Sequence, residues 1–400
     1  MKIHFIILSF LSVSTIYGQL PNYIFESGFE GTSHVIQYYS NGSPNPDEAD
    51  IEGLENGYDW VLDLDNDTIL GRFKINYEMG DTTKSIAEIV TDPIDPLNNV
   101  LKFNINSPHI TYTSATGDTL QKGRIQAEIN NSPELKEFYF QEKIYFDPDL
   151  DSLRTSPLEI TWFTIQEFWN NVPNDPFPFR VTLNIQKASG IGSNLFFGAH
   201  GQTQISQGNW DSKWETIDTT YQVPLGEWVL IETSYIEGDS LTGKFKVRII
   251  DDQNNIHEII NVTNFTYHPN DPNPDGIRSF CPMKLYTSGQ LIEGMNLLGA
   301  NLAIYWDDFK IWVDSTNVNN IKVLNNSITK LYPNPNKGFV NINRKINSYD
   351  RIQIINSNAT LIRTLKPKNE IDISNLPTGT YYIHLISSKN KNESFQIIKL

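Results

Sequence analysis

The chain has 400 residues, of which 20% are charged and 39% hydrophobic, with a net charge of −16 and one cysteine. That length suits a large domain followed by a small one, and the lone Cys281 excludes an internal disulfide framework, so burial must hold the fold. The acidic balance argues against nucleic acid as a partner, because phosphate binding needs a basic surface.

Residues 1–20 read as a secretory signal: Lys2, an apolar run from Ile3 to Val13, then small and polar residues around Tyr17-Gly18-Gln19. The run is too short to cross a bilayer and no later stretch is long enough, so an exported chain, soluble or attached to the cell surface, is expected.

Residues 21–315 show almost no helical periodicity. Short alternating runs rich in aromatic and β-branched residues follow one another, broken by Asn, Asp, Gly and Pro. They are GRIQAEI (123–129), FYFQEKIYF (138–146), EITWFTIQEFW (159–169), FRVTLNIQ (179–186), NLFFGAH (194–200), EWVLIETSYI (227–236), GKFKVRII (243–250), CPMKLYTS (281–288) and AIYWDDFKIW (303–312). So many strands in one segment predict an all-β domain, two antiparallel sheets packed as a concanavalin-like jelly roll.

The domain opens with FESGFEG (25–31) and closes with YWDDFKIW (305–312). First and last strands lie side by side in many such sandwiches, so Glu26, Glu30 and Asp308 are a candidate structural calcium site. No organic cofactor is expected. Asp63, Asp65 and Asp67 also alternate, but without the Gly and distal Glu of an EF-hand loop they read as a solvated turn.

Alternation assigns side chains to faces. Arg124, Gln126 and Glu128 share one face, as do Thr164, Gln166 and Phe168. Arg180, Thr182, Asn184 and Gln186 share another, His200 lies with Phe196, and Lys284 lies with Tyr286. One solvated face per sheet is ordinary. These faces, however, are rich in Arg, Gln, Asn and His, with Trp162, Trp169, Trp210 and Trp214 nearby. Rings that stack on sugars beside amide and guanidinium donors suit a saccharide groove, with Gln126, Asn184, Trp162 and Trp169 as substrate-binding candidates.

Glycoside hydrolysis needs two facing carboxyl groups, and Glu128, Glu159 and Glu167 stand alone in sequence. No G-x-S-x-G, HExxH or paired Cys/His spacing is present. Arg, Gln, His, Lys and Tyr suit β-elimination on a uronic acid. Cationic and amide donors neutralise the carboxylate and stabilise the enolate-like transition state. A Tyr or His removes the proton, and an acid protonates the leaving oxygen.

GRIQAE (123–128), TIQEF (164–168) and MKLYTSG (283–289) occur in the order in which jelly-roll polysaccharide lyases carry their motifs. The domain resembles the alginate, glucuronan and heparin lyase I-like families. Phe168 stands where many of these carry a His. The resemblance implies Tyr286 as base, acid or both, His200 as the alternative base, Gln166, Arg180 and Arg124 as carboxylate neutralisers, and Lys284 as the cation that tunes Tyr286. A non-catalytic carbohydrate-binding jelly roll and a glycoside hydrolase with dispersed carboxylates are the alternatives.

Residues 316–328 form an Asn-rich linker. From 321 onward the charge reverses: 12 basic and 4 acidic residues, against 19 and 43 in the rest. Residues 329–400 carry Tyr332-Pro333-Asn334-Pro335, Gly338, the turn Leu376-Pro377-Thr378-Gly379-Thr380-Tyr381, and Lys399. This segment resembles the type A C-terminal sorting domain of the type IX secretion system of Bacteroidetes. That implies a small β-sandwich, secretion machinery as a partner, and a secreted or outer-membrane surface location. The layout of signal, jelly roll and sorting domain is similar to that of the ulvan lyases of polysaccharide lyase family 28, which implies an anionic polysaccharide substrate. A monomer is expected.

Overall fold

The computed structural model describes residues 25–40, 43–55, 58–59, 72–78, 83–114, 116–130, 135–170, 176–206, 209–312, 331–332, 336–342, 349–356, 360–386 and 393–400. The signal segment, the linker and Asp63, Asp65 and Asp67 lie outside these residues.

Two antiparallel sheets make up the main domain, as the alternation predicts. Six strands carry the polar face: β1 (Thr119–Asn130), β2 (Phe163–Asn170), β3 (Phe179–Gln186), β4 (Phe196–Ser206), β5 (Asn209–Gln222) and β6 (Ser279–Ser288). The ten-stranded sheet runs β5-β4-β3-β2-β6-β1, then Arg72–Asn76, Ser43–Glu52 and His34–Ser40, with Ile110–Thr113 beside the start of β1. The eight-stranded sheet runs Ile256–Thr263, Lys244–Ile250, Trp228–Ile236, Glu137–Phe146, Ala303–Trp312, Asn99–Ile105 and Ser85–Thr91. Phe25–Ser27 pairs with Ala303–Trp312, so the first and last strands do lie together, with Glu26 opposite Lys310.

Inward residues of both sheets merge into one core. Phe138 joins them: its ring lies 5.3 Å from Tyr235 in its own sheet, and 5.1 Å from Phe280 and 6.0 Å from Phe168 in the other. Each such side chain, fully buried, contributes roughly 1.5–3 kcal/mol. One helix, α1 (Gly289–Leu297), is capped by Ser288, whose Oγ accepts from the Leu291 N–H at 3.3 Å. It buries Leu291, Ile292 and Met295 at the end of the sandwich. Gly123 makes that fit possible, because a Cβ there would lie 2.7 Å from Ile292 Cδ1.

Two irregularities shape the polar face. In β2, Phe163, Ile165, Gln166 and Phe168 all turn inward, while Thr164 pairs with Asn184 and Glu167 with Thr182. Ile165 and Gln166 together occupy the inward position of one residue, which is a β-bulge. In β6 the register slips around Cys281 and Pro282, where proline has no N–H to give the ladder.

The C-terminal segment has its own core of Val340, Ile352, Ile354, Ile371, Ile373, Ile383, Leu385 and Ile397. Three- and four-stranded sheets surround it. Lys399 Nζ donates to the carbonyls of Ser374 (3.0 Å) and Leu376 (2.5 Å), and the Tyr381 hydroxyl donates to the Pro377 carbonyl (2.8 Å), so both residues pin the Leu376–Tyr381 turn. Gly338 has φ 130° and backs onto Ser374, leaving no room for a side chain.

Candidate active site

Antiparallel pairing sets Arg124 opposite Tyr286 and Gln126 opposite Lys284. Tyr286 in turn faces Thr164 on β2. Alternation therefore places Arg124, Gln126, Lys284 and Tyr286 together on the outer face of the larger sheet. Gln126, Lys284, Thr164, Thr182 and Asn184 form a buried floor, and Arg124, Tyr286, Arg180 and His200 stand above it, mostly buried but with part of each side chain exposed.

Tyr286 sits among cations. Its hydroxyl accepts from Lys122 Nζ at 2.8 Å. The ring centroid lies 5.0 Å from Lys122 Nζ, 5.0 Å from Lys284 Nζ and 5.4 Å from Arg124 Cζ. The Trp162 ring is 4.8 Å away. Burial pushes the phenol pKa up, and Arg124 and Lys284 pull it back without cancelling that rise. The expectation that a neighbouring cation would favour the phenolate is thus outweighed by desolvation. Lys122 is pushed down, also by burial.

Lys122 was missed in sequence, although it continues the period of Arg124 and Gln126 by one step. Glu167 stands alone in the sequence. The bulge turns it outward, where it pairs with Lys284 and lies 3.1 Å from Arg180 Nη1. Burial raises its carboxyl, but Lys284 and Arg180 outweigh this and hold it at about 2. Arg124 pairs with Glu78, and its Nε is buried without a hydrogen-bond partner. The Gln126 Oε1 is likewise buried and unpartnered.

Several expected site residues lie elsewhere or are occupied. Gln166 points into the core, where its Nε2 donates to Glu142 (3.0 Å) and its Oε1 accepts from Thr233 (3.0 Å). It lies on the inner side of the sheet, and Phe168, which shares that side, is core as well. Arg180 is satisfied: beyond Glu167 it donates to Gln202 Oε1 at 3.0 and 2.8 Å and stacks 3.7 Å from the Trp210 ring centroid. His200 is on β4, three strands from β6, which is roughly 14 Å at ordinary strand spacing. Its Nε2 is 2.8 Å from Gln186 Nε2, and burial lowers its pKa, so it is held as a neutral ring away from Tyr286.

Asn184 accepts from Thr164 (2.7 Å) and donates to Thr182 (2.8 Å), a floor residue with its hydrogen bonds made. Trp169 stands edge-on to Trp210 at 5.4 Å, and Trp214 turns into the core, donating to the Phe265 carbonyl. Beyond Trp162 opens an apolar cleft of about 440 Å³ lined by Tyr112, Leu120, Leu158, Leu291 and Met295.

Of the calcium candidates, Glu26 lies opposite Lys310. Glu30 accepts the Asn99 backbone N–H (2.6 Å) and side-chain amide (3.2 Å), and Asp308 is 2.7 Å from Lys143. Among the described residues no three His, Cys, Asp or Glu form a metal-binding group. No helix among them is long and apolar enough to cross a membrane.

Residues 330–399 match the family model of a secretion system C-terminal sorting domain, which indicates export by type IX secretion to a secreted or cell-surface location. No curated protein matches the chain. Solved structures with a similar jelly-roll-like fold include the endo-β-1,4-glucuronan lyase of the fungus Trichoderma reesei, 12% identical, covering 60% of this chain and 90% of that one, TM-score 0.36. The alginate lyase of Aplysia kurodai is 9% identical, with 57% and 87% covered and TM-score 0.34. The VIP36 lumenal domain, a calcium- and mannose-bound form, is 10% identical, with 58% and 83% covered and TM-score 0.32. Likenesses this remote accompany lyases and a sugar-bound domain alike, and say nothing about chemistry.

Proposed function

We propose that this chain is an exported lyase that cleaves a uronic-acid-containing polysaccharide by β-elimination. The setting of Tyr286 supports this reading most. A phenol held at 2.8 Å by an ammonium, with Arg124 and Lys284 beside its ring, forms a cationic patch on a chain of net charge −16. A patch of that sign attracts and orients a carboxylate.

In this reading Arg124 and the Gln126 amide face the uronate carboxylate and neutralise it, which makes the adjacent C–H acidic enough to lose its proton. Tyr286 takes that proton and then protonates the departing glycosidic oxygen. Lys284, fully buried against Glu167, fixes the floor and contributes field rather than contact. Trp162 and the apolar cleft beyond it offer room for a neighbouring sugar. The substrate we favour is ulvan, cut within the chain, on the resemblance of the whole layout to ulvan lyases.

One observation favours a second reading, a carbohydrate-binding module: Glu167 already neutralises Lys284 and Arg180. Purified protein mixed with ulvan, alginate, glucuronan and heparin-type polymers decides between them, read by the ultraviolet absorbance of the unsaturated uronyl product. The lyase reading expects a rise on one polymer that Tyr286→Phe abolishes. Binding without any rise, on every polymer, replaces it with the binding module.

A further inference from the structure

The geometry points to Lys122 and Tyr286 as one proton-sharing unit, in which Lys122 is a positioning residue that holds the phenol oxygen and sets where its proton resides. This rests on the lyase reading above and adds to it the group that makes the phenol a base.

Three features carry it. Lys122 Nζ donates directly to the Tyr286 hydroxyl at 2.8 Å and also lies 5.3 Å from the Tyr112 ring centroid, so aromatic rings flank the ammonium. The other two cations beside Tyr286 reach its ring, not its oxygen, and each is paired with an acid: Lys284 with Glu167, Arg124 with Glu78. Among the described residues Lys122 has no carboxylate partner of its own; Glu78 and Glu167 act on it only at longer range. A Cβ at Gly123 would lie 2.7 Å from Ile292 Cδ1 of α1, so this stretch of β1 packs closely on the helix.

The charged and titratable groups facing the pair are Arg124 on β1, Glu167 on β2, Arg180 on β3, Lys284 on β6, Glu78, and Tyr112. Burial disfavours the ammonium on Lys122 and the phenolate on Tyr286 alike. The two therefore lose one proton as a pair, with a titration that belongs to both. In the singly deprotonated pair the remaining proton lies between nitrogen and oxygen. With that proton on nitrogen, the phenolate takes the proton from C5 of the uronate. The C–H electron pair becomes the C4–C5 double bond, the C4–O bond breaks, and the departing oxygen takes the proton from the phenol. The pair ends in the state in which it began.

The test reads tyrosinate formation by near-ultraviolet absorbance in the full-length protein across alkaline pH. Since the chain has 18 tyrosines, Tyr286 is isolated by subtracting the curve of Y286F from that of the wild type, and the curve of K122M/Y286F from that of K122M. Removing the ammonium is expected to move the Tyr286 curve up by about one pH unit or more, and K122R is expected to keep it near the wild-type position. On the polymer that is cleaved, K122M is expected to shift the pH optimum upward with KM little changed. A Tyr286 curve that stays in place in K122M overturns the unit, even if cleavage is observed. If no polymer is cleaved, the lyase reading falls, and the titration still decides the pair. Should K122M fail to fold, K122Q is read the same way.

Discussion

Glu167 and Lys284 are 1% and 0% exposed, and Arg180 completes the cluster from β3. Replacing Glu167 by Gln removes the anion and leaves the Lys284 ammonium buried without a counter-charge. Holding the carboxyl at about 2 instead of 4.5 corresponds to roughly 3 kcal/mol of stability at neutral pH. Breaking a buried pair by deleting one partner typically costs about 3–5 kcal/mol, in the same range. Because the folded-state carboxyl is held below its unfolded value, its contribution is present above about pH 4.5 and is lost as pH falls toward 2. The urea unfolding of wild type and E167Q, followed by tryptophan fluorescence at pH 7 and again at pH 3, measures this. The gap is expected to be about 3 kcal/mol at pH 7 and to narrow at pH 3. The double variant E167Q/K284M is expected to recover part of the loss, since neither charge then remains buried. A gap below about 1 kcal/mol at pH 7, or one that does not shrink with acid, would refute the coupled cluster.

Two further perturbations follow from groups that the site does not use directly. Glu142 lies between the sheets against Gln166, and burial raises its pKa well above the usual range, so it is a neutral acid in the core. Its folded pKa is raised, so its contribution is full below the unfolded value and is lost as pH rises toward the folded one. Thermal melting is expected to fall as pH rises above about 4.5 in the wild type and less so in Glu142→Gln, which keeps the shape and the acceptor for Gln166; equal slopes would contradict a neutral Glu142. Lys187, 1% exposed, donates to the carbonyls of Ser156 (3.0 Å), Ala188 (3.1 Å) and Gly190 (3.0 Å), which ties down the segment leading to Trp162. Lys187→Met leaves those carbonyls without their donor and is expected to cost about 1–3 kcal/mol in denaturant unfolding; an unchanged midpoint would show that the segment is held by other contacts.

The sequence by itself determined the all-β sandwich, because period-two alternation of Phe, Ile, Val and Tyr in strand after strand admits no other burial. It also determined which residues of regular strands share a face: Arg124 with Gln126, and Lys284 with Tyr286. The sorting segment was legible as well, since Gly338 and Lys399 are residues its turns require. Two more signals lie in the sequence. Lys122 continues the β1 period, and Glu142 interrupts the inward series Phe138, Phe140, Ile144.

Tertiary structure alone decided the rest. One extra inward residue in β2 reverses every side chain after it, so Gln166 goes to the core and Glu167 to the face, and alternation cannot locate such a bulge in advance. Strand order is likewise invisible to local pattern. It puts His200 three strands from Tyr286 and sets Lys122 within hydrogen-bond reach of it. Periodicity fixes which way a side chain points along its own strand. Which strands become neighbours, and hence which charges meet, is settled only when the two sheets close on a common core.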